Sequence, residues 1–419
     1  MLAARPAAPE EIMSGPLAHI RVLDLSRILA GPWATQILAD LGAEVIKVER
    51  PGQGDDTRTW GPPFLKDADG KETTDSAYYL AVNRGKKSLT LDLASPQGQD
   101  LVRQLAAKSN VLVENYKTGG LAKYGLGYED LKALNPGLVY CSITGFGQDG
   151  PYAKRAGYDY LLQAMGGMMS ITGPADGEPG AGPLRVGVAL IDIITGMYSA
   201  TAILAALNHL ERTGEGQYID MALMDSATAL LANQGMNYLI SGRSPGRSGN
   251  SHPNVAPYQP FETADGWIIV AIGNDNQFGR YCRLIGRPEM ADDERFKRNQ
   301  GRIENRAELI PPIEAAMRQR SSADWLAALE AEGIPGGPIN ELDQVFADPQ
   351  VQHRGMNIEL PHALAGDVPL IASPIKLSQT PVSYSHAPPT LGEHSEAVLA
   401  DVLGLAADEI AELRQRGIV

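Results

Sequence analysis

Apolar and polar positions along the chain fall into two alternating patterns, short β-rich runs and longer runs with apolar residues at helical spacing. IRVLDL (20–25), EVIKVE (44–49), SLTLDL (88–93), VLVENY (111–116) and LVYCSI (138–143) read as strands. Between them WATQILADLG (33–42) and PQGQDLVRQLAAKS (96–109) place apolar residues three and four apart, as amphipathic helices do. Ser95 followed by Pro96 makes a helix start, a capping hydroxyl and then a residue that needs no N–H. This alternation predicts the α/β class, a mostly parallel sheet covered on both faces in a Rossmann-like large domain.

The stretch VGVALIDIITGMYSATAILAALN (186–208) is long and apolar enough to cross a bilayer. It carries a carboxylate, two glycines and several hydroxyls, and no second span accompanies it, so it reads as a buried core helix. A polar break, ERTGEGQ (211–217), follows. Then come a helix (SATALLANQGMNYLI, 226–240), a Gly/Ser/Pro-rich loop (241–258) and a hairpin, FETADGWIIVAIGN, turning at Asp265-Gly266. GIPGGPIN (333–340) reads as a second linker, and the tail ends in a charged amphipathic helix near ADEIAELRQRG. The expected organisation is a disordered tail over 1–15, a large domain beginning over 16–210, a smaller α/β domain over 225–332 and a C-terminal segment over 345–419.

The 419 residues carry a net charge of −14, which argues against a nucleic-acid partner and an anionic membrane surface. Two cysteines, Cys141 and Cys282, stand far apart without a C-x-x-C, so neither a disulfide scaffold nor a zinc knuckle is expected, and a reducing cytoplasm is the natural compartment. The seven histidines are scattered, so no metal cluster is expected. The first dozen residues lack the apolar stretch of a leader. Gly145 to Gly150 matches G-x-G-x-x-G after a strand, but Pro151 follows, no helix begins there, and Ser170 stands where a ribose-binding acid belongs. A tight surface turn fits better.

Asp192 carries the most chemical information. It is the one side chain between Val186 and Asn208 that is charged at neutral pH, and an ionised carboxylate in an apolar run needs a reason. One reason is structural: an aspartate at a helix start caps free N–H groups. The other is chemical, because the same geometry holds a poorly solvated carboxylate ready as a nucleophile. The residues alone leave both open.

A family resemblance separates them. PLAHIRVLDLSRILAGPWATQILADLGAEVIKVERPGQGDDTR, NRGKKSLTLDL, VENY, GLGYEDL, ITGFGQDGPYAKRAGYD, VGVALIDIITG and PPTLGEH occur in this order. From about residue 16 to 419 the chain thereby resembles the family III CoA-transferases, the formyl-CoA transferase, carnitine CoA-transferase (CaiB) and BaiF group. GDDTRTWGPPF, HPNVAPYQPF, GPIN and VFADPQV most resemble the succinyl-CoA:glutarate branch. The resemblance implies that Asp192 attacks the acyl-CoA thioester and passes CoA through an aspartyl anhydride and an aspartyl-CoA thioester. A CoA thioester is then substrate, and no permanently bound cofactor or metal is required. Asp159 and Tyr158 would support the site. Ile28, Leu29, Arg50, Leu91, Asn115, Tyr116, Lys123 and Arg155 would contact CoA or line its pocket. Leu29 replaces a glutamine of formyl-CoA transferase, which speaks against formyl or oxalyl substrates.

The resemblance further implies two α/β domains, the C-terminal segment returning to the large one, and an interlocked homodimer. The implied partners are an acyl-CoA, with succinyl-CoA the first choice, and a small carboxylic acid, a four- to six-carbon dicarboxylate such as glutarate. Arg185 and the loop of Gly249, Asn250 and His252 are candidates to meet its second carboxylate. A 2-methylacyl-CoA racemase of the same fold is the alternative, but racemases place a histidine where this chain has Tyr158, a poor base at neutral pH. A non-catalytic acyl-CoA-binding protein is the further alternative, and the retained Asp192 speaks against it.

Overall fold

The computed structural model describes residues 15–419, which form two compact units. The tail expected over 1–15 lies outside the described residues save for Gly15. That residue belongs to the fold: it sits at φ +110°, and a Cβ on it would stand 2.6 Å from the Leu41 carbonyl oxygen.

The first unit holds the chain up to Gly166, then Gly187–Ala232 and Gln350–Val419. Its centre is a six-stranded parallel sheet: β1 (Arg21–Asp24), β2 (Glu44–Glu49), β3 (Lys86–Thr90), β4 (Val111–Glu114), β5 (Val139–Thr144) and β6 (Tyr218–Ala222). In space the order is β3-β2-β1-β4-β5-β6, so the direction of winding reverses between β1 and β4. Five strands stand where the hydrophobic pattern puts them. The sixth is an edge strand, and YIDMA exposes Asp220 and buries fully only Ala222, so its sequence lacks the apolar run of its neighbours.

Helices cover both faces. Val22, Val45, Val113 and Cys141 pack with Leu38 of α1 (Ala30–Asp40), and further round the same face α5 (Leu190–Thr213) and α6 (Leu223–Leu230) contribute Ile191, Ile203 and Leu223. The opposite face, with Leu23, Ile46, Leu89 and Leu112, meets Leu101 and Leu105 of α2 (Pro96–Ala107), Leu131 of α3 (Tyr128–Leu134) and the C-terminal Val398, Leu399 and Ile410. The Ser95 hydroxyl accepts the Gly98 N–H at 2.9 Å, the cap expected from Ser-Pro and worth about 1 kcal/mol.

Among the described helices α5 alone is long and apolar enough to cross a membrane. It buries one face, Ile191, Thr195, Ser199, Ile203 and Ala206, and leaves Met197, Tyr198 and Leu204 exposed. It packs tightly on α1 at Gly196, where a Cβ would stand 2.6 Å from the Ala30 carbonyl oxygen and 3.0 Å from Trp33 Cβ. Because Asp192 lies one turn earlier on the same face, this contact brings it to the start of α1.

The second unit holds Gly167–Val186 and Asn233–Pro349. Residues 167–186, which the strand–helix alternation assigned to the large domain, thus group here. The segment 226–240 is two helices rather than one, Leu223–Leu230 and Ala232–Ser241, parted where Ala232 takes φ +44°. The hairpin forms at Asp265-Gly266, with Tyr258–Glu262 antiparallel to Trp267–Ala271 and the Thr263 N–H donating to Gly266 O at 2.8 Å. GIPGGPIN is not only a linker, because Gly336–Pro338 adds a third strand beside Trp267–Ala271. Phe261, Ile268, Phe278, Leu309 and Trp325 form this unit's core.

Candidate active site

Asp192 falls in the first turn of α5, but it does not cap the helix. The N-cap position is Ala189, whose methyl group cannot accept a hydrogen bond. The free N–H groups are met from elsewhere, by Asp159 at the start of α4 (Asp159–Met165). One Asp159 oxygen accepts the N–H of Ile191 at 2.7 Å and of Asp192 at 3.3 Å, and the other accepts Gln163 Nε2 at 2.6 Å. Asp159 therefore does the capping that the sequence alone left open for Asp192.

The Asp192 carboxylate, relieved of that duty, makes no hydrogen bond or ion pair among the described residues and lines a cavity of about 390 Å³. Burial, and next the negative charge of Asp159, push its carboxyl up to about 7. The cavity lies at the carboxyl ends of β1, β4 and β5, around the point where the winding reverses. Open α/β sheets bind ligands at that place.

Of the residues singled out from sequence, Ile28, Leu29, Asn115, Tyr116, Lys123, Arg155 and Tyr158 line the same cavity. Arg50 and Leu91 line an adjoining one of about 370 Å³ that shares Arg27, Tyr116 and Tyr124 with the first. Against a net charge of −14, basic side chains are concentrated here. Arg27 is paired with Asp56, whereas Arg50, Lys117, Lys123 and Arg155 make no ion pair among the described residues. Tyr158 is 60 % exposed and precedes α4. Gly145, expected in a surface turn, is instead buried in the cavity wall, where a Cβ would stand 2.6 Å from Gly157 Cα.

Asn115 plays a part the sequence did not disclose. Its Oδ1 accepts the Arg27 N–H at 3.0 Å and its Nδ2 donates to Arg27 O at 2.7 Å, so its amide grips backbone. Tyr78 was missed altogether. Burial, then the charges of Asp192, Asp159 and Asp55, push its hydroxyl up to about 12, so it stays protonated within the field of those carboxylates. Arg185, Gly249, Asn250 and His252 lie in the second unit. There the Gly249 N–H donates to Gly173 O, and His252 Nδ1 accepts the Asn254 N–H at 3.1 Å, anchoring its own loop. Among the described residues no group of three or more His, Cys, Asp or Glu would hold a metal ion.

A poorly solvated, unpaired carboxylate beside a cation-lined cleft suits acyl transfer from an anionic thioester. The family model of CoA-transferase family III matches residues 17–395, and the chain belongs to that family. It is a CoA-transferase. The succinate–glutarate CoA-transferase of Agrobacterium fabrum is 54 % identical over 387 residues, 92 % of this chain and 96 % of that protein. Human succinyl-CoA:glutarate CoA-transferase is 44 % identical over 404 residues, 96 % of this chain and 90 % of that one. A crystal structure of a CAIB/BAIF family protein from Brucella suis matches with a TM-score of 0.81 at 51 % identity, covering 93 % of this chain and all of that one.

Proposed function

We propose that this enzyme moves CoA from succinyl-CoA to a four- to six-carbon dicarboxylate such as glutarate, with Asp192 as nucleophile. The observation that carries the reading is the state of Asp192: partly buried, lining the cavity, and its carboxylate without a hydrogen-bond partner because Asp159 meets the helix N–H groups. An Asp192 oxygen attacks the thioester carbonyl, the C–S bond breaks, and CoA leaves as thiolate from a mixed anhydride. The thiolate attacks the aspartyl carbonyl, which releases succinate and leaves an aspartyl-CoA thioester. The acceptor carboxylate attacks that thioester, CoA leaves again, and its return to the acceptor's acyl carbon frees Asp192. Thioester is exchanged for thioester, so no energy input is needed.

The helix α1 starts beside Asp192 without a side-chain cap, so its first N–H groups are donors for the oxyanion of each tetrahedral stage. The choice of acids rests on the names of the two relatives, both glutarate transferases. The strand order supports a Rossmann-like reading of the sheet. Exposed apolar residues of α4 and α5, including Tyr160, Leu161, Met197 and Tyr198, support a homodimer. Two buried free thiols support a cytoplasmic setting.

The test incubates the protein with succinyl-CoA and glutarate, succinate or butyrate, and follows acyl-CoA products and the mass of the Asp192 peptide. A CoA adduct on that peptide and glutaryl-CoA formation are expected. Butyrate should be poorer by one to two orders of magnitude, about 1.5–3 kcal/mol for a lost charge-assisted contact. Equal use of butyrate would remove the dicarboxylate assignment, and absence of any adduct would remove Asp192 as nucleophile.

A further inference from the structure

The turn that joins β1 to α1 is bent against its own preference. Ile28 sits at φ +73°, a left-handed conformation that a β-branched residue strongly disfavours. Such a conformation persists only where its surroundings over-determine it, and they do so here at three successive residues. Lys47 Nζ donates to Ser26 O at 2.9 Å. Asn115 grips Arg27 through both its N–H and its carbonyl. The Ile28 N–H donates to both oxygens of Asp55 at 3.2 Å. Asp55 and Lys47 are joined at 2.8 Å, with both side chains fully buried. Asp55 is steadied further by the N–H and hydroxyl of Thr57 at 3.0 and 2.8 Å. Ile28, Leu29 and Ala30, which emerge from this turn, line the cavity that holds Asp192.

We propose that the Lys47–Asp55 ion pair is a positioning device that holds Ile28 left-handed and thereby aims the start of α1 at the reacting carboxyl group. The inference rests on the role given above to the α1 N–H groups. Lys47 and Asp55 are positioning residues: their side chains are fully buried at the inner wall of the adjoining cavity, and they act through the turn they hold.

Glycine adopts the left-handed conformation without steric cost, so it makes the clamp unnecessary. The experiment is a cycle between Ile28→Gly and the paired change Lys47→Met with Asp55→Asn, which removes both charges together. Each variant is assayed for CoA transfer from succinyl-CoA, with kcat and KM separated and folding checked by circular dichroism. The paired variant should lose at least tenfold in kcat with KM changed less than threefold. Ile28→Gly in the wild-type background should lower kcat a few-fold, because a wall residue is lost. In the paired background the same change should raise kcat at least threefold. A stabilising role alone predicts no such reversal of sign, so additive losses would overturn the proposal. If the paired variant does not fold, Asp55→Glu keeps the charge but displaces the carboxylate, and the same reversal is required of it. Hydrogen exchange at the Ile28 amide separates this proposal from the functional reading. If the wild type transfers CoA to no acid, the functional reading falls. The clamp then stands if exchange is at least tenfold faster in the variant, and falls if it is unchanged.

Discussion

Two neighbouring regions of the first unit bury carboxylates, and they treat them in opposite ways. Under the β1–α1 turn, Asp24, Glu49 and Asp55 are fully buried, and burial alone would raise their pKa values. Lys86 beside Asp24, Arg58 on Glu49 and Lys47 beside Asp55 outweigh it and hold all three below the usual carboxylate range. At the start of α5, Asp192 has no cation and a second carboxylate behind it, and it is pushed up instead. Glu114 is also pushed up to about 7, but one of its oxygens accepts the Tyr116 N–H at 2.7 Å, so it is not free. Burial alone therefore does not mark a reactive acid. The mark is burial with the partners withheld.

The most severe way to break this comparison is to neutralise one acid of each kind. Asp192→Asn should lower CoA transfer by more than 1,000-fold, because the group removed forms the covalent bond. It should also stabilise the protein above about pH 7. The unfolded carboxyl ionises near its ordinary 3.8, whereas the folded one holds its proton up to about 7. Stability therefore falls as pH rises between those values, and the penalty is complete above the higher one. Asparagine removes it, for a gain of about 1–3 kcal/mol at pH 8 and none at pH 4. Asp24→Asn should do the reverse and destabilise by about 3–5 kcal/mol at neutral pH, since Lys86 is left buried and unpaired. Urea unfolding at pH 4 and pH 8 checks both signs. An Asp192→Asn protein that keeps more than a few per cent of activity would end the contrast.

A milder disturbance separates position from chemistry. Gly196→Ala leaves every ionisable group in place but puts a Cβ against the Ala30 carbonyl oxygen, a backbone atom with little room to give. The helices α1 and α5 must part by several tenths of an ångström, and with them Asp192 and the α1 N–H groups. A loss of about 10- to 100-fold in kcat is expected, with a smaller change in KM for succinyl-CoA. Unchanged kcat would show that the approach of the two helices is incidental.

Much of this arrangement was legible in the residues. Strand positions followed from apolar runs, because a sheet covered on both faces leaves little room for ambiguity, and Asp192 stood out as a charge within such a run. The partners were harder to see. EVIKVE reads as a strand with charges at its ends and middle, and nothing in it says that Lys47 points inward to Asp55. A lysine in a strand buried on both faces was nevertheless a signal that could have been followed. That Asp159 rather than Asp192 caps α5 depends on a contact across 33 residues, which periodicity does not encode. The grouping of 167–186 with the second unit was hidden because those residues are largely irregular and glycine-rich.

The smallest expected effect concerns the charge behind the nucleophile. Asp192 must be ionised to attack, so kcat/KM for the free enzyme should rise with pH along a limb centred at about 7. Asp159→Asn keeps an oxygen to accept the Ile191 N–H, and Gln163 can turn its amide to suit the new NH₂ group. What disappears is the negative charge that opposes ionisation. The limb should therefore move to lower pH, by about one unit, while the alkaline plateau falls only a few-fold because a less basic carboxylate is a weaker nucleophile. Rates of glutaryl-CoA formation between pH 5 and 9, at succinyl-CoA concentrations well below KM, measure both quantities. A limb that stays at its wild-type position would mean that desolvation alone tunes Asp192 and that Asp159 serves only as its helix cap. A limb that moves upward would contradict the like-charge account and place the two carboxylates outside each other's field.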